Sequence, residues 1–406
     1  MRRFVVLISV LFAMVTSVFA QNVTPQGCVE NYDPDVDYFP DKVEAVYAGD
    51  WRVTYHNHYK VVTVGPVGDA DAGSAETYVF VQCGTPVPEL TVELEGAFVI
   101  EIPVETIFET SGGGSISTGL EVLGEADALI GLGYIPAGDF EQYSPMIAGR
   151  FDDPDFLVAN VTDNGWEAVL AAGPDLIVEP YNAERRAEAR ELGMGALFYN
   201  SFWETPLGGA EHIKFWSMLF NKEASANALF EPIERDYLAL AALVEAEINS
   251  DERPTVLHGS IGEDNVFSTF GVGRMDYHLI QDAGGVPILL ESPEITLEAF
   301  SNLSLETIIT VAGDADFWWN NTYYADERFA PPTAETVIAD NPLNASFSAV
   351  ERGHMFHVFR RGEDIYKTAM NYRADLMLKD LVSILHPELL PDHEPLWMQP
   401  IAAQGS

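Results

Sequence analysis

Asn164-Gly-Trp-Glu-Ala-Val-Leu-Ala-Ala-Gly-Pro-Asp-Leu-Ile-Val-Glu-Pro180 spells a short helix, a hard stop and a buried strand. Trp166, Val169 and Leu170 fall at i, i+3 and i+4, one apolar face of a helix. Asn164 stands where an N-cap would, with Glu167 three residues on, the spacing of a capping box. Gly173-Pro174 ends the helix: glycine takes the left-handed position and proline cannot continue the ladder. Leu176-Ile-Val178 is then a continuous apolar run, as a strand covered on both faces requires.

A second copy of this order lies in the other half of the chain, over Leu303–Phe317. Leu305-Glu306 corresponds to Trp166-Glu167, and Asp316 to Asp175. A separation near 140 residues is too long for a solenoid, whose period is roughly 20–50 residues, and predicts two similar lobes.

Working outward, Met1–Ala20 has the parts of a secretory signal: Arg2-Arg3, an apolar stretch from Phe4 to Val15, and Val18-Phe19-Ala20 as a cleavage site. An exported chain cleaved after Ala20 is therefore expected. Residues 21–97 read as a proline-containing arm followed by a β-rich extension. A strand is expected over Trp51–Val64, carrying His56 and His58 on one face, and a second over Thr77–Gln82. Those two histidines are strand residues or, less simply, the start of a metal site.

From Phe98 to residue 208 strands and helices alternate. They pass through the Gly-rich loop Ser111–Gly119, a helix with Ile116, Leu120 and Leu123 on one face, and strands at Asp127–Gly133 and Ala196–Tyr199. Such alternation predicts an α/β lobe built on a mostly parallel sheet. Residues 209–250 carry the longest helical periodicity, with a kink expected at Pro232. Residues 251–406 repeat the α/β pattern. They contain a glycine-spaced loop from Gly259 to Gly273, a last strand over Gly353–Phe359 and a terminal helix over Ala374–Leu385.

Composition excludes some functions. With 21 basic and 63 acidic residues the net charge is 21 − 63 = −42, which argues against nucleic acid and anionic membranes as partners. The two cysteines, Cys28 and Cys83, are either a disulfide, which an oxidising compartment favours, or two buried thiols. No Gly-x-Ser-x-Gly elbow and no His-Glu-x-x-His pair is present, which leaves paired carboxylates as the route to a hydrolase. Another alternative is a carrier of free metal ions through His258, His278, His354 or His357.

From about Phe98 to His386 the chain resembles the substrate-binding proteins of ABC importers for iron–siderophore complexes and cobalamin. The first-lobe pattern of that family reads here as residues 165–178, and its second-lobe Ser-x-Glu-x-Leu pattern as Ser304-Leu-Glu-Thr-Ile308. Its late strand matches Val350–Phe356, and its closing His-Pro matches His386-Pro387. The resemblance implies two Rossmann-like lobes joined by one long helix, a non-enzymatic binder without a cofactor, and an importer permease as partner. It also implies that Glu167 and Glu306 dock on that permease. The β-rich extension and the glycine run at 112–114 depart from the family pattern.

A crevice is expected at the carboxyl ends of the strands. The first lobe would line it with Tyr134, Tyr143, Tyr181 and Trp203, and the second with Phe267, Phe270, Arg274, Trp318, Trp319, Tyr324 and Arg360. Aromatic faces suit flat chelates, and arginines suit ligand carboxylates or catecholates. The expected ligand is a metal chelate of the ferric siderophore, haem or cobalamin type.

Overall fold

The computed structural model describes residues 27–65, 75–110, 115–133, 149–161, 165–180, 182–199, 204–262, 265–271, 273–298, 300–320, 333–358 and 372–401. Three sheets organise them. The first, in order β1-β2-β3-β4, contains β1 (Trp51–Tyr55), β2 (Tyr59–Val64), β3 (Glu76–Gln82) and β4 (Phe98–Ile102). The stretch expected as one strand over 51–64 is a hairpin, with Tyr55 opposite Lys60. His56 and His58 therefore sit at its bend rather than along one strand face. Strand β4, expected to open the first lobe, instead pairs parallel with β3 and closes the extension sheet.

The second sheet is parallel throughout, in order β7-β6-β5-β8-β9. It contains β5 (Ile107–Glu109), β6 (Leu129–Leu132), β7 (Leu157–Val158), β8 (Leu176–Val178) and β9 (Ala196–Leu197). Leu176, Ile177 and Val178 are all fully buried, as their unbroken apolar run predicts.

The third sheet holds β10 (Thr255–Ile261), β11 (Val266–Phe270), β12 (Val286–Pro287), β13 (Phe300–Ser304), β14 (Phe317–Asn320), β15 (Met355–Val358) and β16 (Met398–Pro400). Its parallel part, β12-β10-β14-β15, repeats the β6-β5-β8-β9 order of the first lobe. The repeat extends to side chains. Asp175 Oδ2 accepts from the backbone N–H and hydroxyl of Thr106 at 2.8 and 3.0 Å, and the Thr106 hydroxyl oxygen accepts from the Asp175 N–H at 2.9 Å. Asp316 and Thr255 make the same reciprocal clip, at 2.9, 2.8 and 2.9 Å. In each lobe one aspartate thus fixes the starts of two neighbouring strands.

Two helices, Pro206–Ser217 and Glu223–Glu247, join the lobes. At Pro232, where a kink or a restart is expected, the chain stays within one helix; the helical stretch is interrupted instead at residues 218–222, where Asn221 takes φ 55°. The helix continues through Pro232 because Ala228, whose carbonyl loses its N–H partner, lies on the exposed side. One continuous core runs from Trp51 and Phe80 of the extension through Trp216 and Phe230 of the two helices. It goes on to Leu378 and Leu381 of the terminal helix Ala374–Leu385 and to Trp319 of the second lobe.

Every residue of the Pro206–Ser217 helix is buried. Its carboxylates seize the backbone of the extension. Glu211 Oε2 accepts from the N–H groups of Val46, Tyr47 and Ala48 at 2.9, 2.7 and 2.9 Å. Glu204, just ahead of the helix, accepts from Gly49 N–H at 2.8 Å and Asp50 N–H at 3.1 Å. Lys60 of β2, fully buried, donates to Glu223 at 2.6 Å, to the Met218 carbonyl at 2.7 Å and to Asn221 at 3.1 Å. Glu76 of β3 pairs with Arg186 and Arg190 of the Ala183–Glu191 helix. The Cys28–Cys83 disulfide ties the N-terminal arm to the end of β3.

Candidate functional site

In each lobe the first strand is a switch point: β5 lies between β6 and β8, and β10 between β12 and β14. Crevices that hold ligands open outside the carboxyl ends of strands at such points. At this edge of the first lobe, the Thr110 hydroxyl donates to Glu179 Oε2 at 2.7 Å. Glu179 also accepts from Arg185 at 3.0 Å and from Asn182 N–H at 2.9 Å. Gly133 crosses directly over this pair. A Cβ there would meet the Thr110 carbonyl oxygen at 1.9 Å, so only glycine fits.

The lobes meet behind this edge. Tyr199, following β9, packs on Trp216 with ring centroids 4.4 Å apart. Trp216 Nε1 donates to the hydroxyl of Tyr372, two residues before the terminal helix, at 3.0 Å. A Cβ at Gly119 would come within 2.5 Å of that hydroxyl, so the last glycine of the Ser111–Gly119 stretch serves close packing. Burial pushes the Tyr372 phenol far above its usual range.

At the second-lobe edge His258 is buried between Tyr277 and Trp319, at 5.3 and 4.9 Å between ring centroids. Asn320 and His357, at the ends of β14 and β15, are buried beside it in the same sheet. His278 lies on the Met275–Asp282 helix, and His354 stacks on Phe317 at the start of β14. The four histidines considered for free metal ions do not form a ligand-spaced group of three among the described residues. Such spacing occurs instead at Asp50, Glu204 and His212, where the extension meets the first lobe. Burial pushes Asp50 up to about 6, against the opposing pull of His212. Burial opposes a charge on His212, but Tyr199, Asp50 and Glu204 outweigh it and hold the imidazole well above its ordinary value.

The residues expected from sequence separate into three groups. Tyr134, Tyr143, Tyr181, Trp203, Tyr324 and Arg360 lie outside the described residues. Trp318 and Trp319, expected in a loop, are in strand β14 and fully buried. They point to opposite faces, Trp318 into the second-lobe core and Trp319 into the continuous one. The glycine-spaced loop 259–273 is largely the β10–β11 hairpin, with Ile261 opposite Phe267, and this puts Phe267 in the core. Phe270 lies further down the returning strand, opposite Phe300. Arg274 covers the Phe270 ring at 3.9 Å, and its Nε lies 2.8 Å from Asp276.

Glu167 and Glu306 are both exposed, each at the second residue of its helix, Trp166–Ala172 and Leu305–Ala312. The N-caps are Gly165 and Ser304, and neither supplies a side-chain capping bond. Asn164 lies outside the described residues, and with Gly165 as the cap Glu167 is one residue short of the capping-box position. Each helix leads into a parallel strand, β8 or β14, and so runs antiparallel to it, with its N-terminus toward the carboxyl ends of the strands. A separate groove of about 1020 Å³, lined by Glu101, Glu105, Asp175 and Lys222 among others, lies at the opposite, amino ends of the first-lobe strands.

A sequence model of the family described as Periplasmic binding protein matches residues 115–359, more than half of the chain, and the chain belongs to that family. The extension precedes the matched stretch. An uncharacterized lipoprotein of Methanocaldococcus jannaschii is 25% identical over 235 residues, 57% of this chain; the match spans about half, 52%, of that relative's length. Among solved structures, a periplasmic heme-binding protein of Pseudomonas aeruginosa is 16% identical with a TM-score of 0.53, over 75% of this chain and 100% of that one. Helicobacter pylori CeuE with Ni(II) bound is 16% identical with a TM-score of 0.52, over 73% and 88%. An ABC transporter solute-binding protein of Sulfurospirillum deleyianum is 18% identical with a TM-score of 0.50, over 70% and 84%. At these identities the structures establish the shared two-lobed α/β fold.

Proposed function

We propose that the protein is an extracytoplasmic substrate-binding protein that delivers a metal chelate to an ABC importer. The observation that carries this reading is the duplication. The two lobes have equivalent switch-point edges, and each has an exposed glutamate, Glu167 or Glu306, at the second residue of the equivalent helix. A partner made of two like subunits is addressed by such a pair of like charges, and pairing with permease cations would steer the approach. Tyr134, Tyr143, Tyr181, Trp203, Tyr324 and Arg360, which follow β6, β8, β9, β14 and β15 in the sequence, are the ligand contacts of this reading. Phe270 and Arg274, stacked on one another, are the second-lobe contacts of this reading among the described residues. Names of fold neighbours, which include heme and Ni(II), make chelates of the ferric siderophore, haem or cobalamin class the first ligands to test.

The test is to titrate the purified chain with haemin, a ferric catecholate siderophore and cobalamin, following thermal midpoint and calorimetric heat. A saturable rise in midpoint with one of the three is expected. Binding of none, together with hydrolytic turnover of a glycoside or ester panel, would replace this reading with the paired-carboxylate hydrolase.

A further inference from the structure

We propose that Asp50, Glu204 and His212 bind one divalent cation of the zinc or manganese kind, which pins the N-terminal extension to the first lobe. The site is independent of the crevice and of the chelate reading. Ligand atoms from the three side chains all lie within 4.8 Å of one another. Bonds of about 2.0–2.4 Å to one ion place opposed ligand atoms roughly 4–5 Å apart, so the three span a single coordination sphere.

The imidazole supplies the second, independent observation. The His212 side chain is only 2% exposed, yet neither Nδ1 nor Nε2 makes a directed hydrogen bond, and Asp50 Oδ1 makes none either. His212 Nε2 lies 3.0 Å from Asp50 Oδ1 and 3.6 Å from Glu204 Oε1, so the three ligand atoms converge on one point. None of these contacts is aligned as a hydrogen bond, and a cation at that point would take Nε2 and Asp50 Oδ1 together, while Nδ1, on the opposite edge of the ring, faces away from it.

Charge balance leads to the same conclusion. A protonated histidine between two carboxylates leaves one net negative charge in a site shielded from water. A neutral imidazole, two carboxylates and a divalent ion sum to zero. Two carboxylate donors and one imidazole suit zinc or manganese better than magnesium or calcium, which favour all-oxygen shells.

The ligands are held in place before any ion arrives. The Gly49 and Asp50 amides bind Glu204 and so orient it, and the Val46–Ala48 amides bind Glu211 one residue before His212. Asp50, with 17% of its side chain exposed, provides the route in from solvent.

The experiment uses the full chain stripped with chelator and dialysed, then titrated with ZnCl2 and MnCl2, with MgCl2 as control. One zinc per chain is expected. At a free concentration about 100-fold over Kd, the folded state should be favoured about 100-fold, seen as a raised thermal midpoint. Asp50→Asn, at the most exposed ligand, should weaken zinc at least tenfold. The double change His56→Ala with His58→Ala should leave binding intact. Absence of saturable zinc and manganese binding would overturn the proposal, as would Asp50→Asn binding like the parent. X-ray absorption of the zinc-loaded parent needs no variant. One imidazole with oxygen neighbours is expected, and a shell of two or more imidazoles would place the ion elsewhere.

Discussion

Lys60→Met tests how the extension is held. Lys60 is fully buried, and its ammonium reaches Glu223, also fully buried, at 2.6 Å, and rests 4.5 Å from the centre of the Phe39 ring. Methionine matches the stem in volume, so no cavity is opened. The variant removes the cation and leaves the Glu223 carboxylate in the core, with the Tyr55 hydroxyl at 3.3 Å. Breaking a buried pair in this way costs about 3–5 kcal/mol, because the surviving charge keeps its desolvation penalty. That is a large share of a total stability of order 5–15 kcal/mol. Adding Glu223→Gln removes the stranded charge and should restore at least half of the loss. The assay is urea unfolding of parent, both single variants and the double, analysed as a double-mutant cycle. A loss below about 1 kcal/mol for Lys60→Met would refute the reasoning, as would a double variant no better than the single, since either would mean the pair is not what fixes the sheet.

Three further outcomes are expected. Glu167→Gln with Glu306→Gln should leave ligand affinity and melting temperature nearly unchanged, since neither residue caps its helix, while reconstituted transport falls sharply; full transport would remove the docking role. Burial alone would raise the Glu76 carboxyl, but Arg190, Tyr78 and Arg186 hold it below its ordinary value. Its contribution to stability should therefore be present above the unfolded carboxylate range and be lost as pH falls through the folded value, so that Glu76→Gln flattens the acid limb of a stability–pH curve. Reducing Cys28–Cys83, which closes a separation of 55 residues, should cost about 4 kcal/mol on the chain-entropy account, measured as a drop in urea midpoint with reductant.

The parts of the fold that rest on local signals were legible. Helix, stop and strand at 166–178, its second copy, and the terminal helix Ala374–Leu385 all follow from spacing and from glycine or proline at the right place. The hairpin at 51–64 was hidden because its bend, His56-Asn-His58, has neither glycine nor proline, and alternation runs on through both arms. Trp318-Trp319 misled for a related reason. A strand covered on both faces buries adjacent indoles on opposite sides, and such a pair has no period to betray it. The clamps on the extension were illegible in principle. Glu204, Glu211 and Glu223 look like any of 63 acidic residues until the fold brings residues 46–60 against them. His212 gave no usable signal, flanked as it is by Glu211 and Lys214 in a mixed helix, and Asp50 lies 162 positions away (212 − 50) with nothing local to link them.

The clamps also set an order of assembly. Tyr47 and Lys60 find their partners at Glu211 and Glu223, more than 160 positions later in the chain. Until that later stretch is available, the N-terminal sheet has a buried cation without its anion and backbone amides without acceptors. It therefore cannot close early as an independent unit. Contacts this remote must wait for the loop between them to be ordered, which slows folding. During synthesis the extension sheet therefore stays open until the middle of the sequence has been made.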